Sequence, residues 1–211
     1  MTSQPARGPL KLRDYLNSGL QGSGGELSAL ARLEAAGLSV APTRIISAEE
    51  EERFYRLNNL PQRLNALFAG LDLNDPDEDD LEDIAPEAQR LIKTHYLLDE
   101  FIDLFYLALG ELPERLLLRR PAEAEGPRAG RGRPALIALK NLWASEWGTD
   151  AVMARLVAEA SVVLEPRPVL IQPAGSRAAP AELAARAAEI LEREVRLLRH
   201  PGLGITHALP G

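Results

Sequence analysis

Proline and glycine divide this chain of 211 residues into short segments, which limits what it can fold into. The 16 Pro and 16 Gly leave apolar runs well below the roughly 18 residues that a membrane-spanning helix needs. The N-terminal sequence MTSQPARGPLKLRDYL has no apolar segment typical of a signal peptide. We therefore expect a cytoplasmic protein without membrane contact. The absence of cysteine excludes disulfides, thiolate metal sites and cysteine nucleophiles.

The segments between these breaks predict an α+β fold with short strands and longer helices. Strands are predicted in 38–46, 115–119, 161–164 and 169–172. Helices are predicted in 27–34, from Ser47 to about 57, 63–71, 86–109, 136–160 with a break at 148–150, and 180–200. Ser47 and Glu50 form a capping-box pattern, and i,i+4 pairs of Glu and Arg mark 180–200 as the clearest helix. Residues 121–134 are predicted to form a loop.

An acidic segment invites a calcium-site interpretation, since seven of the nine residues Asp75–Asp83 are acidic. A calcium-binding loop of the EF-hand type requires Gly at its sixth position and Glu at its twelfth, and no register supplies both. We interpret the segment as a solvated turn before a helix. The histidines His95, His200 and His207 lie at no metal-ligand spacing. No metal site is predicted.

Three segments, in this order, carry a resemblance to a known family. They are Gly22-Ser23-Gly24-Gly25 with the helix and strand that follow, Leu118-Arg119-Arg120-Pro121-Ala122, and a helix from Ala138 leading to the strand that ends at Gln172. They resemble the motifs G-G-K-G-x-N-L, V-R-S-S-A-x-x-E-D and V-Q-x-M of the ATP-binding N-terminal domain of phosphoenolpyruvate synthase and pyruvate phosphate dikinase. The resemblance covers roughly residues 10–175, and their order and spacing carry it.

The resemblance implies an ATP-grasp fold, in which two α+β lobes enclose ATP with magnesium. It divides the chain into a lead-in (1–20), a first-lobe-like part (21–175) with a helical insertion (47–110), and a C-terminal helix and tail (176–211). In the family a second lobe with the magnesium-binding carboxylates follows the V-Q strand. The resemblance therefore implies a divergent, non-catalytic nucleotide- or phosphate-binding domain. The alternative is an ATP-dependent phosphotransferase that a partner chain completes with the second lobe.

The residues that the resemblance assigns to ATP or phosphate are Gly22, Ser23, Gly24, Gly25, Arg119 and Gln172. Ser23 stands where the family has lysine, so one positive charge is missing. Arg120 and Pro121 replace the two serines of the second motif, and Glu125-Gly126 replaces the E-D pair. Thr206-His207-Ala208 is not accepted as the family's T-S-H-A motif, because one residue is missing. No residue is assigned a catalytic role.

A basic loop supports a third hypothesis, from another class of protein. Five arginines and two glutamates lie between Arg119 and Arg133, in a chain whose net charge is −7. These arginines are Arg119, Arg120, Arg128, Arg131 and Arg133. Residues 130–134 contain the R-G-R-P core of an AT-hook, an extended segment that binds the minor groove of DNA. The loop is thus a candidate binding site for nucleic acid or for an acidic partner protein.

Overall fold

The computed structural model describes residues 7–18, 24–73, 76–159 and 161–211, which form an α+β fold. Its helices are α1 (Leu12–Asn17), α2 (Gly24–Ala35), α3 (Ala48–Leu57), α4 (Leu60–Leu67), α5 (Glu78–Thr94), α6 (Asp99–Leu109), α7 (Arg133–Ser145), α8 (Thr149–Glu159) and α9 (Ala181–Leu191). Its strands are β1 (Leu10–Lys11), β2 (Arg44–Ile46), β3 (Arg115–Arg119), β4 (Arg128–Gly130), β5 (Val169–Pro173), β6 (Arg177–Ala178), β7 (Val195–His200) and β8 (Gly204–Pro210). None of the described helices is long and apolar enough to cross a membrane.

A five-stranded antiparallel sheet in the order β1-β2-β5-β3-β4 separates two apolar cores. Successive side chains of a strand point to opposite faces of the sheet. Leu118 and Ile171 therefore join the core built with α3–α8, whereas Leu170 and Ile45 join the core built with α1, α2 and α9. We call these the helical-side core and the terminal-side core. Both faces of β3 and β5 are covered, which explains why their sequences are nearly continuous apolar runs.

The C-terminal part of the chain forms a second antiparallel sheet, in the order β6-β7-β8. Two backbone hydrogen bonds join this second sheet to the segment before β2. Ala41 N–H donates to the Ile205 carbonyl at 2.7 Å, and Ile205 N–H donates to the Ser39 carbonyl at 2.8 Å. Ile205 and Ala208 of β8 thereby become part of the terminal-side core.

Several sequence-based predictions are confirmed. α2 ends where Gly37 was expected to end it, with φ of +83° at Gly37 and a hydrogen bond from Leu38 N–H to the Leu33 carbonyl at 3.0 Å. β3 occupies 115–119, and α7 and α8 are separated at the predicted break. α3 does begin after Ser47, but the capping box is wrong: Ser47 makes no side-chain cap, and the Glu50 carboxylate accepts a hydrogen bond from Arg7 N–H instead.

The predicted helix over 180–200 is wrong in its second half. α9 ends at Leu191, Glu192 takes a left-handed conformation with φ of +58°, and 195–200 forms β7. β7 pairs with β8 along its whole length, with Leu197 opposite Ala208. The pairing with β8, which follows β7 after a short turn, overrides the local helical pattern of 195–200. The expected C-terminal helix and tail are therefore a helix followed by a β-hairpin.

Three further predictions need correction. The helix expected over 86–109 is two helices, since a break at 95–98 separates α5 from α6. α5 also begins earlier than expected, at Glu78, where the Asp77 carboxylate accepts a hydrogen bond from Asp79 N–H. Residues 161–164 are irregular, and prolines follow them at 166 and 168. The loop predicted over 121–134 contains the edge strand β4 and the start of α7.

Candidate functional site

The residues assigned to phosphate binding fall into two groups in the structure. Gly22 and Ser23 lie outside the described residues, whereas Gly24 and Gly25 are the first two residues of α2. Arg119 ends β3, and Gln172 lies in the adjacent strand β5. The Arg119 Nε donates to the Gln172 Oε1 at 3.0 Å. The sequence thus identified two side chains, 53 positions apart, that meet beside the start of α2.

The Arg119 side chain is completely buried, and every nitrogen of its guanidinium donates within the protein. Its two terminal nitrogens bind the two carboxylate oxygens of Glu26, at 2.7 and 2.8 Å. They also donate to the backbone carbonyls of Thr206 and Glu123, both at 3.0 Å. A phosphate that approached Arg119 would have to displace Glu26 from this bidentate pair.

The Glu26 carboxylate also makes all of its contacts within the protein. Besides Arg119, its carboxylate accepts from Ala122 N–H at 2.8 Å and from Ala208 N–H at 3.1 Å. The Glu26 side chain is 1% exposed. One carboxylate on α2 thereby fixes the end of β3, the loop that follows it, and β8. A charge buried this deeply is stable only with such a complete set of partners.

Uncharged side chains extend this network along the sheet. The Gln172 Nε2 donates to the Thr43 Oγ1 at 3.0 Å and to the Thr206 carbonyl at 2.7 Å. The Thr206 hydroxyl lies 2.8 Å from the Ser176 hydroxyl. The ring nitrogen Nδ1 of His207 is 2.8 Å from the Thr206 Oγ1. Burial, together with the Arg119 charge, lowers the pKa of His207 to about 4, so the imidazole is neutral at pH 7.

Arg120 belongs to a second buried network on the opposite side of the sheet. Its terminal nitrogens bind both oxygens of Glu51 on α3, at 2.7 and 2.8 Å, and its Nε donates to Glu146 at 3.0 Å. Arg167 donates to the same Glu146 oxygen at 2.7 Å. Burial alone would raise the pKa of Glu146, but the Arg120 and Arg167 guanidinium groups lower it on balance. Arg120 therefore does not belong to an accessible basic loop, which corrects the sequence-based assignment.

The remaining arginines of the predicted basic loop are exposed but not grouped as expected. Arg128 pairs with Glu125 at 3.3 Å, and Arg131 pairs with Glu114 at 3.1 Å. Arg133 is the first residue of α7, so the R-G-R-P segment runs from a turn into a helix and is not the extended chain that an AT-hook requires. Binding of nucleic acid or an acidic partner stays a prediction, now resting on three exposed arginines instead of five.

Two open cavities approach the Arg119 network without including Arg119 or Gln172. One, of about 210 Å³, lies at the start of α2 and is lined by Gly25, Ser28, Ala29, Arg32, Leu191 and Arg193. The other, of about 490 Å³, reaches Thr43 and is lined by charged side chains of both signs, among them Lys11, Arg44 and Glu111. Among the described residues, no three His, Asp or Glu side chains lie close enough to hold a metal ion.

Sequence reasoning missed the acidic partners of both buried arginines, Glu26 and Glu51. A signal was present: Arg119 and Arg120 end an apolar strand, and a buried guanidinium requires a carboxylate. The sequence offers no way to choose among 31 acidic residues. The role of Thr206 and His207 was also missed, because their segment was assigned to a tail.

No protein-family model and no curated protein sequence matches this chain. The geometry of the Arg119 network and the cavities beside it are therefore the basis for any functional conclusion.

Proposed function

We propose that this chain is a non-catalytic, nucleotide- or phosphate-binding domain related to the ATP-binding N-terminal domain of phosphoenolpyruvate synthase and pyruvate phosphate dikinase. The meeting of Arg119, Gln172 and the start of α2 supports this proposal, since the resemblance assigns these three elements to one phosphate site. An ATP-grasp-like first lobe explains why three distant segments converge there. The ligand would be a phosphate group, with Mg-ATP as its first candidate.

Two features argue that this binding is weak and that no phosphoryl transfer follows it. Glu26 neutralises Arg119 and occupies the donors that would face a phosphate. Ser23 supplies no charge where the family has lysine. What remains for an incoming anion is the start of α2 at Gly25, where Arg32 and Arg193 line the adjoining cavity. Catalysis would need further cationic and metal-binding groups to stabilise the transferred phosphoryl.

The decisive experiment releases Arg119 from Glu26. Thermal unfolding is measured with 0 and about 10 mM Mg-ATP for the wild type, Glu26→Gln and Glu51→Gln. If the wild type binds in the millimolar range, 10 mM ligand stabilises it by about 1.4 kcal/mol, or roughly 3–6 °C in Tm for a chain of this size. Glu26→Gln removes the competing negative charge, so we expect its ligand-induced shift to be about twice as large.

Glu51→Gln is the matched control, because it changes the same type of buried pair on the other side of the sheet. It should leave the ligand-induced shift at the wild-type value. No shift for either the wild type or Glu26→Gln would overturn the proposed nucleotide binding. Release of phosphate from ATP by this chain alone would overturn the claim that the domain is non-catalytic.

A further inference from the structure

The strand β4 lies at the edge of the five-stranded sheet and pairs with β3 on one side only. In an antiparallel pair, residues alternate between those that exchange hydrogen bonds with the neighbouring strand and those whose N–H and C=O groups point away from it. Leu118 N–H donates to the Pro127 carbonyl at 2.9 Å, so Ala129, two residues after Pro127, is also directed towards β3. Arg128 and Gly130 consequently point their N–H and C=O groups outward.

The neighbouring strand agrees with this arrangement. Arg115 lies opposite Gly130, and its carbonyl accepts a hydrogen bond from Ala174 N–H at 3.0 Å, on the side of β3 that faces β5. Within the described residues, the outward N–H and C=O groups of Arg128 and Gly130 have no hydrogen-bond partner. These four backbone groups are therefore available to pair with a further strand.

One face of this sheet edge carries two arginine side chains. Because side chains alternate along a strand, Arg115 and Arg128 lie on the same face as Leu117, the residue opposite Arg128. The two arginines are diagonal neighbours across the strand pair, a distance that long side chains can bridge. Gly130, opposite Arg115, has no side chain, and an open cavity of about 410 Å³ that both arginines line is found there.

The charge balance around β4 is positive, in a chain whose net charge is −7. Glu125 pairs with Arg128 at 3.3 Å and Glu114 pairs with Arg131 at 3.1 Å, and all four side chains are at least 40% exposed. Exposed ion pairs of this kind contribute little, so they can exchange partners at small cost. Arg115 is also exposed, and among the residues that the structure describes its side chain makes no hydrogen bond or ion pair.

We propose that β4 binds an extended acidic peptide segment of a partner protein, which adds to the sheet as a sixth, antiparallel strand. Its backbone pairs with the outward groups of Arg128 and Gly130, and its acidic side chains contact Arg115 and Arg128. In strand addition, main-chain hydrogen bonds supply affinity and alternate side chains supply specificity. A nucleic acid has no N–H and C=O groups at strand spacing, so the open edge favours a peptide. The inference is independent of the proposed phosphate binding beside Arg119.

The test uses a fluorescent octapeptide of alternating Glu and Val, whose anisotropy is measured as the full chain is added. In the proposed antiparallel arrangement, the Glu residues lie opposite Arg128 and Gly130, so their own N–H groups face β4. N-methylation of the Glu amides should therefore weaken binding at least about tenfold, whereas N-methylation of the Val amides should change it less than about twofold. Equal affinities of the two methylated peptides would overturn strand addition.

The same peptide with Gln in place of Glu tests the basic face, and it should bind at least about fivefold more weakly. Equal binding of the Gln and Glu peptides would overturn the preference for an acidic partner. No binding of the Glu peptide at a chain concentration of about 1 mM would overturn the whole proposal. Tighter binding of a single-stranded oligonucleotide than of the Glu peptide, lost in Arg115→Gln, would overturn it in favour of nucleic acid.

Two pairs of variants then locate the site on the chain. Arg115→Gln should weaken the Glu peptide about fivefold. Arg13→Gln is its control and should leave the affinity unchanged, since Arg13 is exposed on α1, next to β1 at the other end of the sheet. Equal affinities of these two variants would overturn the assignment to β4.

Gly130→Pro removes one outward N–H without removing a hydrogen bond to β3, and it should weaken the Glu peptide about fivefold. Gly130→Ala is the matched control, because it adds a side chain and keeps the N–H. Equal binding by a folded Gly130→Pro and Gly130→Ala would overturn the backbone pairing at this residue. If Gly130→Pro unfolds, the methylated peptides on the wild type decide the same question.

Discussion

Two consecutive arginines, Arg119 and Arg120, are buried in the same way and serve different parts of the molecule. Each makes a bidentate pair with one glutamate, and all four side chains are at most 1% exposed. Arg119 turns to the terminal-side core, where Glu26 and the backbone of Thr206 bind it. Arg120 turns to the helical-side core. Two consecutive residues thus belong to two networks on opposite sides of a sheet.

The networks differ in what surrounds the central pair. Among the described residues, Glu26 is the one carboxylate that binds Arg119, and the other acceptors are the Gln172 amide oxygen and backbone carbonyls. Arg120 has two carboxylates, Glu51 and Glu146, and Arg167 shares the second of them. The Arg119 network is therefore the more sensitive to loss of one carboxylate. It is also the network that joins α2 to β8.

The largest expected effect tests this difference directly. Glu26→Ala leaves Arg119 buried without a carboxylate, and we expect it to cost about 3–5 kcal/mol of the free energy of unfolding. Glu51→Ala leaves Arg120 paired with Glu146, and we expect a smaller cost of about 2–3 kcal/mol. Urea unfolding of both variants measures the difference. Equal costs would mean that Glu146 does not compensate for the loss of Glu51.

A pH titration provides the second test, because His207 lies on the Arg119 side. Its pKa is lowered from 6.5 to about 4 by burial and by the nearby Arg119 charge, so the fold favours the neutral imidazole. Its stabilising contribution is complete above pH 6.5 and is lost as the pH falls from 6.5 towards 4, where the unfolded chain binds the proton. The loss between pH 7 and pH 4 is about 3 kcal/mol.

His207→Gln should remove this part of the pH dependence, so its destabilisation relative to the wild type should shrink as the pH falls from 7 to 4. His200→Gln is the control, since His200 lies in the turn region of the C-terminal hairpin, where its ring accepts from Gly202 N–H. Unfolding free energies at pH 7, 5.5 and 4 decide the matter. An unchanged pH profile in His207→Gln would contradict the neutral, buried imidazole.

The sequence predicted the parts of this comparison unequally. Apolar runs and glycine stops located β3, β5 and α2 correctly, because these signals are local. The resemblance assigned Arg119 and Gln172 to the same phosphate site. It could not reveal that Glu26 fills the position beside Arg119, since an ion pair between α2 and β3 depends on tertiary packing. The hairpin of β7 and β8 was missed for another reason: the apolar spacing and the Glu–Arg pairs of 180–200 predict a helix, whereas pairing with β8 and packing against the terminal-side core favour a strand over 195–200.

Smaller effects come from neutral hydrogen bonds on each side of the sheet. Tyr55→Phe leaves the buried Trp147 indole N–H without its acceptor at 2.8 Å, which should cost about 1–2 kcal/mol. Thr43→Val removes one of the two acceptors of the Gln172 Nε2, while the Thr206 carbonyl remains, so about 1 kcal/mol is expected. Thermal unfolding measures both. A cost for either one that equals that of Glu26→Ala would contradict the dominant role of the charged pairs.

The smallest effect concerns the exposed arginines that the sequence grouped with Arg120. Arg128 and Glu125 are 67% and 80% exposed, and ion pairs at such a surface contribute little because water and salt screen them. Arg128→Ala should therefore change the free energy of unfolding by less than about 0.5 kcal/mol. Arg120→Ala leaves the Glu51 carboxylate buried without its guanidinium partner, and it should cost several kcal/mol. Measuring both variants at low and high salt separates the two environments. A salt-sensitive loss in Arg120→Ala comparable to that in Arg128→Ala would mean that Arg120 is accessible to solvent, as a basic loop requires.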